Sequence, residues 1–231
     1  MSGHKVATLN DRCTNCGECA AVCPSKALEM AGVRMTLGEV MEVIEKERIF
    51  MEESGGGVTF SGGEPLMQWP FLEALLEECG WRNIHRAVDT AGHVGQDILK
   101  RIAGHTDLFL YDLKLMDDMR HKEWTGVSNR RILENLRFLS GSGARIFIRL
   151  PLISGVNDDE HNLHQTASFI KSLPELPEAI YLLPYHPVAR HKFAKLERED
   201  DFVLFEEPTM ESVETAVKIL CATGVPVHSG K

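Results

Sequence analysis

Four of the six cysteines in this 231-residue chain fall in one short run, Cys13-Thr-Asn-Cys16-Gly-Glu-Cys19-Ala-Ala-Val-Cys23-Pro24. Thiolates at such spacing hold soft metals. The pattern C-x2-C-x2-C-x3-C-P is that of a bacterial ferredoxin loop, in which three thiolates wrap three corners of a 4Fe–4S cube and the cysteine before proline normally reaches a second cluster. Zinc is the alternative, although zinc sites generally separate two C-x2-C pairs by more residues. The sequence contains no second loop of this kind. Cys23 is therefore left without its expected cube, and a cube on Cys13, Cys16 and Cys19 lacks its usual fourth ligand. The remaining thiols, Cys79 and Cys221, each extend a helical apolar stripe, after Leu72, Leu75 and Leu76 and after Val213, Val217 and Leu220. Both are expected in the core, where free cysteine behaves as a small hydrophobe.

A second group of chemically unusual residues recurs at the ends of short β-rich runs. Ser54-Gly-Gly-Gly-Val-Thr-Phe-Ser61-Gly62-Gly63-Glu64-Pro65 ends in a glycine turn that lets a ligand approach backbone N–H and C=O groups. Val88-Asp89-Thr-Ala-Gly92 places an acid at the next run's tip. In Leu110-Tyr-Asp112-Leu113-Lys114 the alternation of a strand turns Asp112 and Lys114 the same way. Charges inside a barrel are costly unless paired or ligand-bound. Arg149 and the pair Tyr185-His186 end two further runs. Five strand ends bearing Gly-Glu, Asp, Asp with Lys, Arg and His predict one polar pocket.

The elements that must position these groups alternate from about Val58 onward. Strands are predicted at Val58–Ser61, His85–Asp89, Leu108–Asp112, Arg145–Leu150 and Ala179–Leu183, with a late one at Val225–His228. Helices lie between them. Thr36 with Glu39 reads as a capping box opening the stripe Leu37, Val40, Met41, Ile44, and Thr209 opens a last helix closed by Gly224. This is the pattern of a parallel sheet covered by helices, an α/β fold of βα-barrel type, whole or partial, whose function sits at the C-terminal strand ends. Boundaries are set at 1–35 for the ferredoxin-like segment and 36–231 for the barrel. The formal net charge of −9 disfavours a broad nucleic-acid or anionic-lipid surface. No apolar run approaches the roughly 20 residues of a membrane helix, and Met1 to Arg12 has no signal-peptide core, so a cytoplasmic chain without membrane contact is expected.

Taken in order, the ferredoxin loop, the Gly-Gly-Glu-Pro turn, Asp89-Thr-Ala-Gly92, Leu108-Phe-Leu-Tyr-Asp-Leu-Lys114, Thr125-Gly126, Asn129, Ile132-Leu-Glu-Asn135, Ile148-Arg-Leu-Pro-Leu-Ile153, Gly155-Val-Asn157 and Leu183-Pro-Tyr-His186 resemble the glycyl-radical-enzyme activating enzymes. These are the pyruvate formate-lyase activating enzyme and its ferredoxin-insert relatives, within the radical S-adenosylmethionine superfamily. The resemblance implies a 4Fe–4S cluster, reductive cleavage of S-adenosylmethionine, and hydrogen abstraction by a 5′-deoxyadenosyl radical from a glycine of a partner glycyl-radical enzyme. A flavodoxin- or ferredoxin-type reductant is implied too. By resemblance, Gly62, Gly63 and Glu64 receive the methionine amino group, and Asp89, Asp112, Leu113 and Lys114 line the pocket, with Lys114 near the carboxylate. His186 falls on the adenosine side. Cys13, Cys16, Cys19 and Cys23 would carry an accessory cluster.

The sequence departs from that family at one point. It contains no C-x3-C-x2-C loop for the reactive cluster, and the first barrel strand and helix that accompany it are also expected to be missing. The expectation is a chain lacking an N-terminal segment and inactive as it stands. The alternative is a non-catalytic iron–sulfur protein that docks, transfers electrons or regulates.

Overall fold

The computed structural model describes residues 12–14, 16–30, 32–187 and 203–230. The chain divides into two compact units, Met1–Thr36 and Leu37–Lys231. In the first, Gly17 turns the backbone through positive φ (81°) into the one-turn helix α1 (Glu18–Ala21). Cys13, Cys16 and Cys19 are exposed and Cys23 is half-buried.

The second unit runs α2 (Leu37–Lys46), α3 (Arg48–Ser54), β1 (Gly57–Phe60), a 3-10 turn at Pro65–Gln68, α4 (Trp69–Trp81), β2 (His85–Thr90), α5 (Gln96–Ala103), β3 (Leu108–Asp112), α6 (Asp118–Thr125), α7 (Arg130–Gly141), β4 (Ile146–Leu152), α8 (Glu160–Lys171), β5 (Ala179–Pro184), α9 (Met210–Cys221) and β6 (Val227–Ser229). The six strands form one sheet in sequence order, every neighbouring pair parallel. Strand–helix–strand crossovers give that topology, and successive strands adding on one side give a partial βα barrel. All six predicted strands are present, shifted by one or two residues at most of their ends.

Side-chain alternation separates two faces. On β4, Ile146, Ile148, Leu150 and Leu152 are buried, while Phe147, Arg149 and Pro151 are half-buried on the opposite side. On β3, Phe109 and Tyr111 are buried against half-buried Leu108, Leu110 and Asp112. The buried residues join Leu72, Leu99, Leu136, Leu163 and Leu220 of the helices in one apolar cluster. The half-buried face is the inner face of the barrel type, and the charged residues lie on it.

Two core expectations separate here. Cys79 is fully buried, its thiol donating to the Met41 sulfur at 3.8 Å, and burial pushes its pKa up to about 11. Cys221 is exposed, contrary to expectation. The buried residues of α9 are Ala216 and Leu220, so Cys221 lies about 100° round the helix from Leu220, at the helix's last position. His121 is buried, its Nδ1 within 2.8 Å of the Val127 carbonyl and 2.9 Å of the Thr125 hydroxyl.

Candidate functional site

Register places the central charges. Asp112, the last residue of β3, lies directly opposite Arg149 of β4. Arg149 Nε is 3.9 Å from Asp112 Oδ1, and its Nη1 reaches over β3 to donate to Asp89 Oδ2 on β2. Two strand spacings of about 4.8 Å are within the span of an arginine side chain. Ser61, just after β1, donates to the same Asp89 oxygen at 3.2 Å. Lys114 Nζ is 3.5 Å from Asp112 Oδ2. The tips of β1, β2, β3 and β4 are thus joined by one chain of polar contacts, Ser61, Asp89, Arg149, Asp112 and Lys114.

The two acids and two bases in this network sum to zero charge, but their bonding is incomplete. Asp112 Oδ1 is buried and has no hydrogen-bond partner among the described residues. Burial pushes the Asp112 carboxyl up, against the pull of Lys114 and Arg149 and with the neighbouring Asp89 charge adding to the rise. A buried acceptor left open costs about 1–3 kcal/mol, so the carboxylate is poised to take a donor.

Glu64 is bonded on both sides of its turn. Its Oε1 accepts from the Thr90 hydroxyl at 2.6 Å and from Leu66 N–H at 3.2 Å, and its Oε2 accepts from Ala91 N–H at 3.0 Å. The carboxylate therefore pins the loop after β1 to the loop after β2. Gly62 and Gly63 stay exposed, Gly62 at φ 143°, with open space where a Cβ would project. Gly92 (φ 69°) is glycine for a sharper reason, since a Cβ there would meet Tyr111 Oη at 1.8 Å. Leu113 belongs to the apolar core, and its N–H donates to the Arg149 carbonyl at 2.9 Å. His186 is half exposed, its Nδ1 3.3 Å from Glu207 Oε1. No hydrogen bond or ion pair among the described residues joins it to the Asp89–Lys114 network.

Lys114 also borders a cavity of about 320 Å³ whose walls include Trp124, Pro151, Ile153, Asn157 and Phe205. A larger groove of about 710 Å³ lies between α2 and α4, and of its charged lining residues Glu42, Glu45, Lys46, Glu78 and Arg82, Arg82 is ion-paired with both Glu45 and Glu78. Spacing alone had singled out Asp89, Asp112 and Lys114. It gave Ser61 and Thr90 no role, and their only signal was a position at a strand tip.

The donor set suits the amino-acid head of S-adenosylmethionine. Acids and bases in contact, with one buried carboxylate oxygen unbonded, match a ligand that carries an ammonium, a carboxylate and a sulfonium. The cysteine run is different. Among the described residues no three His, Cys, Asp or Glu side chains are gathered for a metal. Local bonds nevertheless favour thiolates there. The Glu18 N–H first and the Thr14 hydroxyl second lower Cys16, and the Ser25 hydroxyl followed by the N–H groups of Leu28 and Ala27 lowers Cys23.

Comparison with known proteins identifies the family and the fold. Residues 10–167 match the Radical SAM superfamily. The chain is 39% identical over 252 residues to the trans-4-hydroxy-L-proline dehydratase activating enzyme of Clostridioides difficile, covering 95% of this chain and 83% of that one. It is 40% identical over 210 residues to the isethionate sulfite-lyase activating enzyme of Nitratidesulfovibrio vulgaris, covering 89% and 67%. The crystal structure of a domain of pyruvate-formate lyase-activating enzyme from Bacteroides vulgatus superposes with a TM-score of 0.65 at 38% identity, over 76% of this chain and 99% of that one. A radical SAM methyltransferase from Sphaerobacter thermophilus, at 20% identity and a TM-score of 0.63, shares the fold. No helix among the described residues is long and apolar enough to cross a membrane. The chain belongs to the radical SAM superfamily, among the enzymes that activate glycyl-radical enzymes.

Proposed function

We propose that the strand-tip network holds the amino-acid head of S-adenosylmethionine for the activation of a partner glycyl-radical enzyme. The observation that carries this reading is the contact set Asp89, Arg149, Asp112 and Lys114 with its one unbonded buried oxygen. Lys114 faces the ligand carboxylate. Asp89 and Asp112 offset the ammonium and sulfonium, and Gly62 and Gly63 present backbone to the amino group beside the turn that Glu64 braces. Arg149 bridges the two acids. His186, steadied by Glu207, faces the adenosine. S-adenosylmethionine, when bound and reduced by one electron, supplies the radical that takes a hydrogen atom from a glycine of the partner.

The segment 1–35 carries an accessory 4Fe–4S cluster on Cys13, Cys16, Cys19 and Cys23, and 36–231 carries the ligand. The setting is the cytoplasm, with a flavodoxin- or ferredoxin-type protein as reductant. Because these 231 residues contain no C-x3-C-x2-C loop, the chain alone binds ligand without cleaving it. The same feature favours the second reading, a docking, electron-transfer or regulatory iron–sulfur protein. Calorimetry with S-adenosylhomocysteine tests the site. Binding that Asp112→Asn and Lys114→Met each weaken supports it, and no binding by the intact chain rejects it. Formation of 5′-deoxyadenosine by the iron-reconstituted chain under strong reduction would show that the chain cleaves its ligand after all.

A further inference from the structure

Strand pairing between β3 and β4 stops just beyond the charged residues. The Leu113 N–H to Arg149 carbonyl bond at 2.9 Å is the last rung. Lys114 follows, outside the ladder, yet the loop that carries it is closely held. Asn157 Nδ2 donates to the Lys114 carbonyl at 3.0 Å and to the Pro151 carbonyl at 2.6 Å, while its Oδ1 accepts from Ile153 N–H at 2.8 Å. Asn129 Nδ2 donates to the Leu115 and Met116 carbonyls at 3.0 and 2.7 Å. Asn162 Oδ1 accepts from Met116 N–H at 2.9 Å, and its Nδ2 donates to the Asn157 carbonyl at 2.9 Å. All three asparagines are at most 3% exposed.

We infer that Asn157 is the positioning residue for Lys114, a side-chain amide that replaces the missing rung between β3 and β4 and fixes the distance between Lys114 and Arg149. The inference rests on the proposed role of Lys114 at the ligand carboxylate. An amide is needed because the position must offer two donors and one acceptor at once. Serine offers one donor, and aspartate sets a carboxylate against two carbonyls. Pro151 lies two residues past Arg149, so one side chain ties the carriers of both cations. Those cations flank Asp112 at 3.5 and 3.9 Å. Freed from Asn157, the Lys114 carbonyl keeps no hydrogen bond among the described residues, and the ammonium loses its fixed place. The effect should therefore fall on ligands with an amino-acid head.

Two ligands separate this from general loosening. S-adenosylhomocysteine carries the amino-acid head, and 5′-methylthioadenosine has the same adenosine and sulfur without it. Calorimetry on the full chain would compare wild type, Asn157→Ser, Lys114→Met and the double variant. Asn157→Asp, which keeps shape, volume and the acceptor, serves if the serine variant does not melt cooperatively. The expected result is about a tenfold loss of S-adenosylhomocysteine affinity in either Asn157 variant, with 5′-methylthioadenosine changed by less than about twofold. The double variant should then bind no more weakly than Lys114→Met alone. Equal losses for both ligands, or additive losses in the double variant, would overturn the inference. If Lys114→Met lowers S-adenosylhomocysteine binding selectively and the Asn157 variants do not, the inference fails while the proposed function stands. If Lys114→Met itself leaves the preference unchanged, the reading of Lys114 fails and takes the inference with it.

Discussion

Replacing Arg149 by methionine removes one charge from a network whose four charges now cancel, and leaves an unbranched apolar stem in its place. Asp89 loses its guanidinium partner and Asp112 keeps only Lys114, at 3.5 Å. At 3.9 Å and an effective dielectric of about 20, the Arg149–Asp112 attraction is about 4 kcal/mol. The side chains of Arg149 and Asp112 are 32% and 23% exposed, so solvent screening reduces this, and a net loss of about 1–3 kcal/mol at pH 7.5 is expected. The pH dependence has a definite sign. Burial already holds the Asp112 carboxyl above its ordinary value, and removing a cation raises it further. Between the unfolded and folded values the folded state then binds the extra proton, so stability falls as pH rises through that window. The penalty of Arg149→Met must therefore be larger at pH 7.5 than at pH 4.5. Urea denaturation of wild type and variant at both pH values, read by tryptophan fluorescence, measures it as a difference in which titrating groups remote from Arg149 cancel. Adding Asp112→Asn should recover part of the loss at pH 7.5. A penalty that is the same at both pH values, or absent at pH 7.5, would refute the claim that Arg149 compensates a partly desolvated Asp112.

Gly92→Ala should destabilise by about 2–4 kcal/mol in the same assay, from positive φ together with displacement of a buried Tyr111 hydroxyl that donates to the Ile132 carbonyl at 2.7 Å. Gly62→Ala, with open space around its Cβ, should cost clearly less, and equal costs would count against the collision. The Asp118 carboxyl is held down to about 2, first by Lys122 and then by the Ser128 hydroxyl. The stability it lends is present above its ordinary value of 3.8 and lost as pH falls toward 2, so wild type and Asp118→Asn should converge in acid melts below pH 4. With iodoacetamide at pH 7.5, peptide mapping should find Cys16 and Cys23 alkylated early and Cys79 last, because burial holds the Cys79 thiol at about 11. Rapid modification of Cys79 in the folded chain would contradict that order.

The sheet was legible because its strands are short, largely apolar runs separated by helices with marked ends, and period and punctuation survive without tertiary information. Asp112 and Lys114 were legible for a similar reason, since alternation along one strand fixes which side chains share a face. Glu64 was not. Its sequence context, a glycine turn, says that backbone is accessible there and nothing about which neighbour the carboxylate will reach, and the answer lies 26 residues away in Thr90. Cys221 was misplaced because the stripe was extended one position too far, at a helix end where one residue turns the side chain by about 100°. The buried asparagines carry no periodic signal at all. Asn129, Asn157 and Asn162 stand near loops and helix starts, where asparagine is ordinarily a local cap, Asn135 lies in the middle of α7, and their bonds to the loops after the strands exist only after the sheet is assembled.

Those asparagines explain how a charged site can persist at the tips of a parallel sheet. Beyond the last ladder bond each strand leaves carbonyls and N–H groups unpaired, and a buried unpaired group costs about as much as a lost hydrogen bond. If nearby charged side chains bonded those groups, they would be tied up locally. Neutral amides take that role instead. Asn135 donates to the Gly92 and Val94 carbonyls after β2, while Asn129, Asn157 and Asn162 serve the loops after β3 and β4. With the backbone satisfied from outside, Asp89, Asp112, Lys114 and Arg149 are left to pair with one another, and the set closes except at Asp112 Oδ1. Such a site has rigid carriers, cancelled charge and one buried acceptor still open. That combination favours a zwitterionic ligand over a simple cation or anion, because of these three the zwitterion alone brings a donor for the open oxygen without upsetting the balance of charge around it.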